Sequence, residues 1–76
     1  MAPPRFAGTG CESGHWVDSV SDDGDIVKLE DGSVWEIAAE DQTDTALWLA
    51  TEDIVVCADF LINTDNNEKA GATRLR

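Results

Sequence analysis

The stretch Asp25-Ile-Val-Lys-Leu-Glu-Asp-Gly-Ser-Val-Trp-Glu-Ile37 decides the fold, because it holds two short apolar runs joined by a turn sequence. Loop length determines which side chains share a face of a β-hairpin. A two-residue turn at Asp31-Gly32 leaves a charged side chain on each face of the hairpin. A three-residue loop at Glu30-Asp31-Gly32 instead places the apolar side chains on one face and the charged ones on the other. Its inner face then carries Val27, Leu29, Trp35 and Ile37, and its outer face carries Lys28 and Glu36. We therefore predict a three-residue loop in which Gly32 supplies the positive φ.

Short apolar pieces rich in β-branched and aromatic residues recur on both sides of this hairpin, separated by Gly, Asp and Asn. They predict strands at 15–21, 25–29, 34–37, 47–49, 54–58, 60–63 and 69–74. The fold expected is all-β, a small SH3-like barrel of five to seven short strands. We assign residues 15–76 to this single domain and residues 1–14, with two Pro and three Gly, to a flexible N-terminal arm.

The segments on either side of this hairpin are a turn at residues 22–24 and a polar stretch at residues 38–46. At the turn Asp22-Asp23-Gly24 the register stays open, because a three-residue loop turns Val17 inward whereas an even loop turns Trp16 and Val20 inward. Residues 38–46 are too polar for a buried strand. They predict a loop or one helical turn, with Asp41 and Thr45 available as capping residues.

Charge is the most informative feature for function. The formal net charge is −11, and between Glu12 and Glu68 sixteen acids face one base, Lys28. Such a surface repels phosphate backbones and anionic lipids, so we expect neither nucleic-acid nor membrane binding. The expected partner is a basic protein or peptide. The alternatives are a nucleic-acid-mimic inhibitor of a basic protein, a calcium-binding domain, or acidity that only adapts the chain to salt.

The partner-binding candidates combine aromatic and acidic side chains, since an aromatic patch rimmed by acids is how SH3-type domains grip basic peptides. Trp48 lies out of phase with Leu47 and Leu49, so one of these two sets faces outward if the segment is a strand. The candidates are Trp16, Trp48, Asp41, Asp44, Glu52 and Asp53.

The two cysteines, Cys11 and Cys57, permit three interpretations: idle or buried thiols, a disulfide between the arm and the barrel, or metal ligands together with His15. No Cys-x-x-Cys pair is present, so we expect no structural metal and no cofactor. Asp22, Asp23 and Asp25 are the alternative cation ligands, and solvated turn carboxylates explain them more simply.

Catalysis is not expected, and we assign no catalytic residue. A nucleophilic Cys11 activated by His15 would lie in the Gly-rich arm rather than on a rigid scaffold. Carboxylate pairs arise by chance when sixteen acids share one small domain. A barrel of 8.2 kDa also has little room for a substrate pocket.

A resemblance rests on the string Leu29-Glu-Asp-Gly-Ser-Val-Trp35-Glu-Ile37, followed by Asp44-Thr-Ala-Leu-Trp48, Ile54-Val-Val56 and Leu61-Ile-Asn-Thr-Asp65. The chain resembles, over about residues 15–75, small bacterial proteins of unassigned function with SH3-like barrels. The resemblance implies the fold and no ligand residues.

The compartment expected is the cytoplasm, because the chain contains neither an apolar run of membrane-span length nor a signal core. Export is the alternative if a leader has been removed. Exposed sheet edges would also permit a homo-oligomer.

Overall fold

The chain forms a closed antiparallel barrel whose strand order is β1-β2-β3-β6-β5-β4. The computed structural model describes residues 11–76. The strands are β1 (Cys11–Val20), β2 (Ile26–Leu29), β3 (Val34–Ile37), β4 (Asp53–Cys57), β5 (Phe60–Asn63) and β6 (Glu68–Arg74). Between β3 and β4 lie a 3₁₀ turn (Ala39–Asp41) and a short helix, α1 (Gln42–Thr45). The prediction of a small all-β, SH3-like barrel is confirmed. No helix within residues 11–76 has the length and apolarity needed to cross a membrane.

The β2–β3 hairpin has the three-residue loop predicted from its side-chain pattern. Val27 lies opposite Trp35, and Leu29 N–H donates to the Ser33 carbonyl at 3.0 Å, which leaves residues 30–32 as the loop. Gly32 has a φ of 87°. The four apolar side chains predicted to point inward are all buried, and Lys28 and Glu36 are exposed. The pleat therefore places the apolar face on the core, as burial requires.

A series of hydrogen bonds under the same loop positions the buried Trp35. Asp31 Oδ1 accepts hydrogen bonds from Ser33 N–H at 2.9 Å and from Ser33 Oγ–H at 2.7 Å. Ser33 Oγ in turn accepts from Trp35 Nε1–H at 3.0 Å. The indole N–H is thus paired inside the core, where an unpaired donor would be costly.

The turn between β1 and β2 combines features of both predicted registers. Ser21 N–H donates to the Ile26 carbonyl at 2.9 Å, so the loop is even, with four residues. A β-bulge between Val17 and Ser19 then shifts the register. Because the extra residue resets the alternation, Val17 faces the core while Trp16 is 45% exposed. The even-loop alternative is therefore right for Val20, which packs against the core, and wrong for Trp16.

The segment predicted as a strand at 47–49 is a turn after α1. Leu47 N–H and Trp48 N–H donate to the carbonyls of Asp44 and Thr45, so these backbone groups are used locally and cannot join a sheet. Trp48 is 4% exposed, whereas Leu47 and Leu49 are 74% and 65% exposed. The ring of Trp48 therefore fills part of the core from a turn. The predicted strand at 47–49 was wrong.

Strand β1 begins at Cys11, so residues 11–14 are part of the barrel and not of a loose arm. They pair with β4, where Cys11 lies opposite Cys57. The two cysteines form a disulfide with a Cα–Cα distance of 4.0 Å, which selects one of the three interpretations left open by the sequence. The rest of the predicted arm, residues 1–10, lies outside the described residues.

The helical turn predicted over residues 38–46 is confirmed, but its two polar residues do not cap it with their side chains. Asp41 Oδ2 accepts from Gly71 N–H of β6 at 2.9 Å. Thr45 is fully buried, and its hydroxyl donates to the Gly24 carbonyl in the β1–β2 turn. Asp41 thus fastens the helical turn to β6 and Thr45 fastens it to the β1–β2 turn, so the predicted capping role was wrong.

Candidate partner-binding groove

A surface groove, named the interaction groove below, runs beside the first half of β1. It lies next to the exposed indole of Trp16. It has a volume of about 420 Å³ and is lined by residues 13–16 of β1, residues 53–55 of β4, and Thr64. Pairing of β1 with β4 builds its floor, since His15 lies opposite Ile54 and Trp16 opposite Asp53. Trp16 is the only aromatic residue among the exposed large hydrophobic residues of the described range. The groove therefore combines apolar surface with an accessible aromatic ring.

One carboxylate lines this groove, and three others contact its lining residues. Asp53 lines it, and the Asp53 N–H donates to Asp65 Oδ2 at 3.0 Å. Trp16 N–H donates to Glu30 Oε1 at 2.9 Å, and Glu12 Oε1 lies 3.5 Å from His15 Nε2. Among the described lining residues none is lysine or arginine. The electrostatic potential at the groove is therefore suited to a cationic ligand.

His15 links β1 to the β2–β3 loop. Its Nδ1 lies 2.8 Å from Glu30 Oε2 and 3.9 Å from Asp31 Oδ2. Partial burial of the ring is the largest single influence and opposes protonation, but the hydrogen bonds and charges of Glu30, Glu12 and Asp31 together outweigh it. The pKa of His15 is therefore raised above its ordinary value.

The pKa of Asp31 is lowered. Hydrogen bonds from the Ser33 hydroxyl and the Ser33 N–H are the main cause, because they stabilise the ionised carboxylate. Partial burial opposes them, and the charges of His15 and Arg74 add to the lowering. Asp31 is thus an anion at neutral pH, and its carboxylate faces the His15 ring.

We expect the free energy of unfolding to decrease as pH rises from mildly acidic to mildly alkaline values. The folded state binds the His15 proton more tightly than the unfolded state, so the stabilisation is complete below 6.5, the ordinary pKa, and is lost as pH rises through the higher folded pKa. Urea unfolding at a series of pH values, in buffer containing EDTA, measures this trend.

The control for this titration is His15→Gln. The chain has one His and no Tyr, and both cysteines are bridged, so this substitution removes the only side chain expected to titrate in that window. The profile of the variant should be nearly flat. A parent protein whose stability does not change with pH would contradict the raised pKa of His15.

Of the six predicted partner-binding residues, the structure brings Trp16 and Asp53 together on the interaction groove. Asp44 is exposed on α1 and does not line this groove. Side-chain alternation could not reveal the pairing of Trp16 with Asp53, because it depends on the register of two strands far apart in the sequence.

The other three predicted residues are engaged within the barrel. Trp48 is buried, and its Nε1–H donates to Glu68 Oε1 at 2.7 Å, so its ring offers no surface to a partner. Glu52 Oε1 accepts from Leu49 N–H at 2.9 Å and from Asn63 Nδ2–H at 2.8 Å. Asp41 holds Gly71, as described above. We therefore correct the assignment of Trp48 as a surface residue.

The Asp-rich turn proposed as a cation site is not a convergent cluster. Asp22 and Asp23 are exposed, and Asp25 Oδ1 accepts from Ser21 Oγ–H at 2.6 Å. Within residues 11–76, the only group of three metal-ligand side chains whose ligand atoms all lie within 4.8 Å is His15, Glu30 and Asp31. Sequence reasoning missed this group because it depends on the register of β1 against β2, which the bulge between Val17 and Ser19 sets.

No family model, curated protein or solved structure matches the chain. The resemblance to small bacterial proteins, drawn from four strings between Leu29 and Asp65, therefore stays a prediction.

Proposed function

We propose that this barrel is a non-catalytic protein-interaction or accessory module that binds a basic peptide segment in the interaction groove. The observation that carries the proposal is the exposed ring of Trp16 beside a groove bordered by carboxylates. An indole face attracts the cationic groups of Arg and Lys and supplies apolar contact area at the same site. The surrounding carboxylates would orient the same groups.

The overall charge supports a basic partner as well. Sixteen acids and one lysine between Glu12 and Glu68 create an attractive field for a cationic chain, and this field raises association rates at low salt. A second groove of about 470 Å³ lies beside β3 and β6, but none of its lining residues within 11–76 is aromatic. The groove at Trp16 is therefore the better binding candidate.

The distribution of carboxylates favours this reading over a nucleic-acid mimic, which needs a regular row on one face. Exposed acids lie on several strands, on α1 and in the connecting turns: Asp18, Asp22, Glu36, Asp44, Asp53, Asp59 and Asp65. Calcium binding has less support, because the Asp-rich turn does not converge.

We propose that the oxidised protein works in an oxidising compartment rather than in the cytoplasm expected from the sequence. The support is the Cys11–Cys57 disulfide, since such bonds persist mainly outside reducing compartments. Thiol titration of protein isolated from its source without reductant tests this. Two reactive thiols per unfolded chain would argue for the cytoplasm.

Peptide binding is tested by fluorescence titration against a library of Arg- and Lys-rich peptides containing Pro, with an acidic peptide of equal length as the negative probe. We expect Trp16→Ala to weaken binding of a selected basic peptide at least about tenfold, as for an aromatic anchor. Affinity should also fall as salt is raised.

The matched control is Leu47→Ala, which removes an even more accessible apolar side chain outside the groove. This variant should bind as the parent does. Binding that survives Trp16→Ala unchanged, or a parent that binds no basic peptide, would overturn the proposed function.

A further inference from the structure

His15, Glu30 and Asp31 meet where β1 approaches the β2–β3 loop, and their geometry points to a metal site. We propose that His15 Nδ1, Glu30 Oε2 and Asp31 Oδ2 bind a divalent transition-metal ion of the Zn²⁺ type. One ligand atom from each of these three side chains lies within 4.8 Å of the other two. The proposal does not depend on peptide binding, because it rests on these three side chains alone.

The distances suit an ion of this size. Two ligands of a tetrahedral Zn²⁺ with bonds of about 2.1 Å are themselves about 3.4 Å apart. The distances from His15 Nδ1 to Glu30 Oε2 and to Asp31 Oδ2, 2.8 Å and 3.9 Å, lie on either side of that value. Lengthening the first distance and shortening the second, each by about half an ångström, brings both to the tetrahedral spacing.

The two carboxylate ligands are oriented from behind through their other oxygen atoms. Glu30 Oε1 accepts from Trp16 N–H at 2.9 Å, which leaves Oε2 directed at the imidazole. Asp31 Oδ1 accepts from the N–H and the hydroxyl of Ser33, which leaves Oδ2 on the side of His15. Partners of this kind hold metal ligands in place and contribute strongly to affinity.

The histidine ligand has a comparable partner. His15 Nε2 lies 3.5 Å from Glu12 Oε1, the arrangement of a carboxylate–histidine–metal triad. On binding, the Nδ1 proton is released to solvent and its lone pair goes to the ion, while Nε2 keeps its hydrogen and donates toward Glu12. Glu12 is therefore a positioning residue and not a ligand.

The ligand types determine which ion is preferred. One imidazole nitrogen with two carboxylate oxygens suits Zn²⁺ and its transition-metal neighbours, whereas Mg²⁺ and Ca²⁺ prefer oxygen ligands only. Three protein ligands leave a fourth tetrahedral position for water. The Asp31 side chain is 39% exposed, so this position can be reached from solvent.

Calorimetric titration of the oxidised, metal-free protein with ZnCl₂ tests the proposal, with millimolar Mg²⁺ present to occupy scattered carboxylates. We expect one Zn²⁺ per chain. His15→Gln and Asp31→Asn should each weaken binding at least about tenfold. Asn at position 31 keeps the Oδ1 acceptor for Ser33, so this variant is expected to retain the hairpin.

Two exposed carboxylates outside the cluster provide controls, and Asp23→Asn and Asp44→Asn should bind Zn²⁺ as the parent does. NMR gives a direct readout, because the single imidazole of the chain should shift on Zn²⁺ binding and return with EDTA. Any of three results would overturn the site: no saturable binding in Mg²⁺, an unmoved imidazole resonance, or unchanged affinity in folded Asp31→Asn.

Discussion

Replacing both Cys11 and Cys57 by serine is expected to lower the free energy of unfolding by about 4 kcal/mol, the chain-entropy value for so long a loop. The bridge joins residues 46 apart in the sequence and restricts the unfolded chain accordingly. A domain of this size has a total stability of only about 4–11 kcal/mol. The loss therefore removes a large share of it.

Urea unfolding of the parent, of the parent in dithiothreitol and of the double variant measures this effect. The double variant with and without dithiothreitol is the control for effects of the reductant itself, because dithiothreitol should leave its urea midpoint unchanged. Hydrogen exchange should show the largest loss of protection at residues 11–14, whose pairing with β4 lies next to the bridge. Equal midpoints for oxidised and reduced parent would contradict the prediction.

Gly24→Ala is expected to destabilise the barrel by about 3–4 kcal/mol, the sum of overpacking and an unfavourable backbone conformation. Gly24 has a φ of 78°, and a Cβ built there would lie 2.1 Å from the Gln42 carbonyl oxygen and 2.6 Å from the Ala46 nitrogen. These are backbone atoms of the helical turn, so they cannot rotate away. The β1–β2 turn and the helical turn would have to separate.

Gly32→Ala is the matched control, because Gly32 also has a positive φ, of 87°, but a Cβ there meets nothing within 4 Å. Only the backbone cost of about 1 kcal/mol should remain. Thermal and urea unfolding of the two variants separate the steric effect from the conformational one. If both variants lost the same stability, the close approach at Gly24 would not be the cause.

The hairpin at residues 25–37 shows how much of the fold could be predicted from local sequence. Its turn residues and the alternation of its side chains are satisfied together by one loop length, and the pairing of Val27 with Trp35 follows from it. The barrel class could be predicted for the same reason, because short alternating segments between turn residues have few other ways to bury their apolar faces.

The orientations of Trp16 and Trp48 could not be predicted from local sequence. The bulge between Val17 and Ser19 turns Trp16 outward, and the turn after α1 carries Trp48 into the core. Both outcomes depend on barrel closure. A bulge lets β1 curve from its pairing with β4 to its pairing with β2. The ring of Trp48 reaches the core from a turn and fills the space there. Neither is encoded in the residue's immediate neighbours.

Sequence by itself determined the all-β class, the register of the central hairpin and the strongly negative surface, because these depend on alternation, turn chemistry and charge count within short segments. Tertiary structure alone decided the disulfide, the placement of Trp16 beside Asp53, and the meeting of His15 with Glu30 and Asp31. Pairing of β1 with the distant β4 makes the first two contacts, and the bulged register of β1 against β2 makes the third. Each depends on how whole strands pair, which no short segment of sequence specifies.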